Sequence, residues 1–144
     1  NRIAEVYRDN KKDCNTAISW YKKSLEIKPK ERKACFGIGY CLNSFEKYSE
    51  AIPYLKTAVE MEATYTAAYV ELGYSYFKTD KYVEAGLSFD KAISLNPKNE
   101  NARYYACLMY VKQGKKSLAQ KMVDELKALS SKHVETLQKK VNAM

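Results

Sequence analysis

Glycine and proline are scarce in this chain, five and three among 144 residues. That shortage argues against a sandwich or barrel rich in turns and favours helices. Long apolar runs are missing as well: none approaches the roughly 20 residues that a membrane-spanning helix needs. No basic-then-apolar leader opens the sequence. Histidine occurs once, as His133, and no two cysteines form a C-x-x-C pair, so a zinc site would have to be assembled from scattered thiols. A Gly-rich phosphate loop, an H-E-x-x-H pair and clustered carboxylates are all absent. The adjacent acids Asp124 and Glu125 point apart on a helix. A hydrolase needs a nucleophile beside a base, and His133 is expected to lie in a C-terminal helix remote from the rest of the fold. The expectation is a chain that is not an enzyme, with no cofactor, no metal and no small-molecule substrate. The chain opens at Asn1 without a methionine and reads as a fragment or mature product of a longer protein.

What is present is a chain of one-domain length that is 46% hydrophobic, enough for a substantial core. Its net charge of +8 is unevenly spread: +3 over residues 1–31, zero over 32–65, zero over 66–99 and +5 over 100–144. A nucleic-acid groove is expected to be basic along its length. Basic ends around a neutral middle fit solvated helix faces, with an acidic partner near the C-terminal end as the functional alternative. The four cysteines, Cys14, Cys35, Cys41 and Cys107, read as small core hydrophobes. Taken as unpaired thiols they favour a reducing compartment such as the cytoplasm, although weakly.

The sequence resembles itself at a shift of 34 residues: Cys35, Ile38, Gly39, Leu42, Ala51, Leu55 and Ala58 fall on Tyr69, Leu72, Gly73, Tyr76, Ala85, Phe89 and Ala92. Large residues meet large ones and small ones meet small ones, the mark of a stacked repeat. Apolar positions recur at three- and four-residue steps within each unit, so the segments are amphipathic helices. One helix is expected over about Thr66–Lys78, a turn at Thr79-Asp80-Lys81 with Asp80 as N-cap, and a second helix to about Leu95, stopped by Asn96-Pro97. A glycine inside a helix costs about 1 kcal/mol relative to alanine. Gly39 and Gly73 are therefore expected where another backbone comes close. After Ser130-Ser131 the pattern breaks, and Val134, Leu137, Val141 and Met144 make a narrow stripe backed by Lys132, Gln138, Lys139, Lys140 and Asn142. Such a segment suits a helix that covers the last face of an array; docking on a partner or a further repeat are the alternatives.

The run Tyr69…Leu72-Gly73…Tyr76…Ala85…Phe89…Ala92…Pro97 resembles a tetratricopeptide repeat, with Tyr69 where the family often has Trp. Four units follow from the resemblance, approximately 1–31, 32–65, 66–99 and 100–130, the first truncated, with a capping helix over 131–144. Ile3, Ala4 and Tyr7 represent the first helix of the first unit, with one extra residue in the Arg8–Asp13 turn. The resemblance implies an all-α, right-handed superhelical solenoid of antiparallel helix pairs, working as a protein-interaction scaffold. Its concave groove would receive an extended peptide or a helix of a partner protein. Carried over by position, the groove would be lined by Phe36, Tyr40 and Asn43, by Val70, Tyr74 and Phe77, and by Tyr104, Leu108 and Val111. Lys33, Lys78 and Lys112 would stand at its margins. Phe36, Phe77 and Tyr104 have an alternative reading as packing residues. The carboxylate clamp of chaperone-binding relatives needs Lys, Asn and Arg at places that here hold Phe36, Tyr40, Val70, Tyr74, Tyr104 and Leu108, so none is expected. Self-assembly through exposed repeat ends is a second function, and RNA reading by helical repeats a more distant third, disfavoured by the neutral middle units.

Overall fold

The computed structural model describes residues 13–144, among which there are eight α-helices and no strand. The expected helix bearing Ile3, Ala4 and Tyr7, and the start of its turn, lie outside the described residues. The helices are α1 (Cys14–Ile27), α2 (Arg32–Ser44), α3 (Tyr48–Met61), α4 (Thr66–Lys78), α5 (Tyr82–Leu95), α6 (Glu100–Lys112), α7 (Lys116–Ala128) and α8 (Val134–Asn142). Helix starts recur at the sequence period: Arg32, Thr66 and Glu100 open one set, and Tyr48, Tyr82 and Lys116 the other. The helix expected over Thr66–Lys78 has those bounds, and its partner ends at Leu95. The chain is an all-α solenoid of antiparallel helix pairs, α2–α3, α4–α5 and α6–α7, with α8 packed on the last pair.

Each pair is closed by the same device. Glu46, Asp80 and Gly114, spaced by the repeat, all have positive φ (61°, 61° and 72°). The amide two residues beyond each helix's C-cap returns to the helix: Lys47 N donates to Leu42 O at 2.8 Å, Lys81 N to Tyr76 O at 2.8 Å and Lys115 N to Tyr110 O at 2.9 Å. A left-handed residue followed by this hydrogen bond is a Schellman stop. It corrects the expected role of Asp80. The N-cap of α5 is Lys81 and has no side-chain cap. Asp80 instead turns the chain, and its carboxylate accepts from the Tyr82 hydroxyl at 2.8 Å and from Lys112 Nζ at 3.3 Å.

The core is a ladder of repeat-related side chains. Tyr21, Leu55, Phe89 and Val123 are buried at one level, and Ala17, Ala51, Ala85 and Ala119 one turn earlier. The glycines of the first helices accommodate this ladder, but not through backbone approach as expected. A Cβ on Gly39 would stand 2.5 Å from Leu55 Cγ, and one on Gly73 would stand 2.7 Å from Phe89 Cε1. A bulky side chain of the second helix is seated on the bare backbone of the first. In this position glycine trades helix propensity for room for a large apolar group.

The cysteines need a second correction. All four are buried, as small core residues should be, but Cys14 and Cys41 form a disulfide. Helices α1 and α2 run antiparallel, and their packing brings the two Cα atoms to 5.4 Å, within bridging range. Cys35 and Cys107 remain free and buried. The argument for a reducing compartment rested on four unpaired thiols and falls away.

Helix α8 buries Leu137 and Val141 in the core shared with α4–α7, and Val134 packs at its edge. Met144, expected in the same stripe, is 39% exposed. Gln138, placed on the polar face, turns to α7, where it exchanges hydrogen bonds of 2.9 and 2.7 Å with Gln120.

Candidate functional site

The first helices α2, α4 and α6 each touch the next one along, whereas the second helices meet chiefly first helices. The layer whose members crowd together is the inner side of a bend, so α2, α4 and α6 line the concave face.

On that face the nine expected groove residues divide. Phe36, Asn43, Val70 and Phe77 are buried, while Tyr40, Tyr74, Tyr104, Leu108 and Val111 remain partly exposed. Lys33, Lys78 and Lys112 are exposed. Phe36 packs on the rings of Tyr65, 5.0 Å between centroids, and Tyr40 at 6.1 Å. Asn43 faces the next repeat: its Nδ2 donates to Glu71 O at 3.1 Å and to Glu71 Oε2 at 2.9 Å, and its Oδ1 accepts from Ser75 Oγ at 2.7 Å. Tyr104 is covered on one side by His133, 4.6 Å away between ring centroids. That contact corrects the expectation of a remote histidine, because the residues before α8 fold back onto α6.

Of the accessible residues, Tyr40, Tyr74, Leu108 and Val111 gather in two hollows, and Tyr104 lines neither of them. The first, about 550 Å³, joins Tyr40, Asn43 and Tyr74 with Tyr48 and Tyr105. Glu46 and Glu71 supply its two acids. The second, about 560 Å³, joins Phe77, Leu108, Val111 and Lys112 with Ala143 and Met144 beyond α8. Tyr48, Glu71, Tyr105 and the C-terminal residues were not expected at the site. Only one of them carries a sequence signal. Glu71 is a single charge within the apolar run Tyr69-Val70-Glu71-Leu72-Gly73, in the register of Gly37 and Tyr105.

The first hollow is a tyrosine nest around a carboxylate. Tyr74 and Tyr105 lie 4.5 Å apart between ring centroids, and Tyr48 meets Tyr74 edge-on at 5.6 Å. Burial pushes the Glu71 carboxyl above its ordinary value, and the hydrogen bond from Asn43 only partly opposes this. Burial, then the hydrogen bond with Tyr48, raises Tyr74 far above the ordinary phenol value. Burial, then the negative charge of Glu71, pushes Tyr105 up to about 12. These phenols are therefore neutral at physiological pH and act as hydrogen-bonding, π-rich walls. Outside the hollow, Lys78 Nζ stands 5.7 Å from the Tyr74 ring centroid and 5.4 Å from that of Phe77. Among the described residues there is no cluster of three or more His, Cys, Asp or Glu that could hold a metal ion, and no helix is long and apolar enough to cross a membrane.

Stacked antiparallel pairs at a 34-residue period, closed by one kind of turn, define a helical-repeat protein. The chain belongs to the tetratricopeptide repeat family, whose models match residues 1–31, 33–65 and 66–99. It is similar to the TPR repeat-containing protein YpiA of Bacillus subtilis, 31% identical over 121 residues, covering 84% of this chain and 28% of that protein. It is also similar to anaphase-promoting complex subunit 3 of Schizosaccharomyces pombe, 26% identical over 97 residues, covering 67% of this chain and 15% of that one. The chain thus spans under a third of the length of either relative. Among solved structures, YrrB, a TPR protein with an unusual peptide-binding site, superposes with a TM-score of 0.83 at 24% identity, over 95% of this chain and 70% of that one. MamA does so with a TM-score of 0.78 at 26% identity, over 90% and 72%.

Proposed function

We propose that this chain is a non-catalytic interaction module that holds a peptide or helix of a partner protein along the face of α2, α4 and α6. Tetratricopeptide repeats generally mediate protein–protein interaction. The observation that carries the finer reading is the succession of two hollows on one face, the first walled by partly exposed tyrosines and the second by Leu108 and Val111. Tyrosine and aliphatic side chains in such hollows offer large, preformed contact area at low entropic cost. Of the expected groove residues, Tyr40, Tyr74, Tyr104, Leu108 and Val111 form the contact surface in this proposal. Asn43, Phe36, Val70 and Phe77 support it from beneath, and Lys33, Lys78 and Lys112 flank it. Residues 1–130 form the binding array, and 131–144 cap it.

A displayed peptide library selected on the chain tests this reading, with the bound peptide's footprint mapped by amide hydrogen exchange. Protection centred on α2, α4 and α6, and binding weakened by Leu108→Asp, is the expected result. Protection confined to α3, α5 and α7 refutes the groove.

A second reading, self-association, has an observation of its own. Val83 and Leu87 are 74% and 66% exposed on one side of α5, beside Leu118 of α7 at 41%. If that patch joins copies, the molecular mass in sedimentation rises with concentration, and Leu87→Glu abolishes the rise.

A further inference from the structure

The packing of the repeats accounts for Oε2 of Glu71, which Asn43 of the preceding repeat contacts, but not for its charge. Its Oε2 accepts a hydrogen bond from Asn43 Nδ2 at 2.9 Å, and its Oε1 accepts none from a described residue. None of the ion pairs among the described residues involves it. Glu71 is only partly exposed; a carboxylate drawn back from water without a cation is costly, and the loss of water strengthens its attraction for any cation that enters. The second acid of the hollow, Glu46, lies at the rim and is exposed. The walls are the rings of Tyr40, Tyr48, Tyr74 and Tyr105, whose faces are electron-rich.

From this geometry we propose that the hollow receives a cationic side chain, lysine or arginine, from the partner segment. The proposal rests on the interaction-module reading and gives the partner a chemistry. The cation pairs with Glu71 Oε1 at the floor, while its aliphatic stem lies against the tyrosine rings. The volume of about 550 Å³ admits such a side chain with room for neighbouring backbone. One of the wall rings already attracts a cation from outside the hollow, since Lys78 Nζ stands 5.7 Å from the Tyr74 centroid. An acidic side chain is excluded, because it would meet two carboxylates. This preference opposes the overall field of a chain carrying +8, so unspecific electrostatics cannot mimic it.

The test uses four capped pentapeptides, alanine throughout except for a central lysine, arginine, norleucine or glutamate, titrated into the full chain and followed by NMR. The expected result is that the lysine and arginine peptides shift tyrosine ring signals and bind about tenfold or more tighter than the norleucine peptide, with the glutamate peptide weakest. Glu71→Gln, which keeps an oxygen for Asn43 to donate to, removes that advantage. The comparison of lysine with norleucine on the unmodified chain stands without any variant. Equal binding of norleucine, preference for glutamate, unchanged discrimination in Glu71→Gln, or no measurable binding of the basic peptides each overturns the proposal. Library peptides that footprint on α2, α4 and α6 without a basic residue would leave the interaction module intact and refute only the cation pocket.

Discussion

Asn43 and Ser75, 32 residues apart, share a buried hydrogen bond of 2.7 Å that ties one repeat to the next. The asparagine lies in the register of Phe77 and Val111, where aromatic or aliphatic contact serves the later repeats. Here the same place holds a polar latch, with Ser75 donating to Oδ1 and Nδ2 donating to Glu71.

Asn43→Ala is therefore expected to act on stability before it acts on binding. It leaves Glu71 without a donor and Ser75 with only its bond to Glu71 O. Stranding buried polar groups costs about 1–3 kcal/mol. Ser75→Ala should cost less, about 1 kcal/mol, and a double-mutant cycle should show coupling between the two. Additive losses in denaturant unfolding would mean that the latch does not join the repeats energetically.

The raised carboxyl of Glu71 gives a pH signature. The fold favours its protonated form, so the native state binds more protons than the unfolded chain between the ordinary glutamate value and the native one. In that window stability rises as pH falls. Glu71→Gln, which cannot ionise, should be at least as stable as the parent at pH 8, and its advantage should shrink as the pH is lowered toward the ordinary glutamate value. Thermal melts across that range decide; an advantage that grows on acidification contradicts the burial of this charge.

Two glycines in helices should respond oppositely to alanine. At Gly73 the new Cβ would stand 2.7 Å from the ring of Phe89, itself 1% exposed and unable to retreat. Overpacking of this kind costs about 1–3 kcal/mol and outweighs the gain in helix propensity. At Gly86 nothing lies within 4 Å, so Gly86→Ala should stabilise by about 0.5–1 kcal/mol. The two unfolding midpoints should bracket that of the parent.

Thiol counting tests the disulfide. The unreduced, unfolded chain should present two thiols, Cys35 and Cys107, and the reduced one four. In the native chain both free thiols should react slowly: they are 3% and 0% exposed, and burial raises both, Cys107 to about 11. Reduction should lower stability by about 3 kcal/mol, since the bridge closes a sequence separation of 27. Four thiols without reductant would show that the cysteines are not bridged.

The helices, their pairing and the ladder of buried residues were legible in the sequence, because periodicity is a local property and 34-residue self-similarity repeats it in register. Tyr40 and Tyr74, one period apart, could be singled out for the same reason, whereas Tyr48 and Tyr105, which line the same hollow, could not. What depended on contacts between repeats was not. Whether Gly39 faces backbone or Leu55, whether Cys14 meets Cys41, and whether Asn43 points to a ligand or to Ser75 are settled by distances across helices that no spacing encodes. Glu71 shows the division most clearly. The sequence displays a charge in an apolar run, but only the packing of α2, α4 and α6 places that charge among tyrosines, with no ion pair from a described residue.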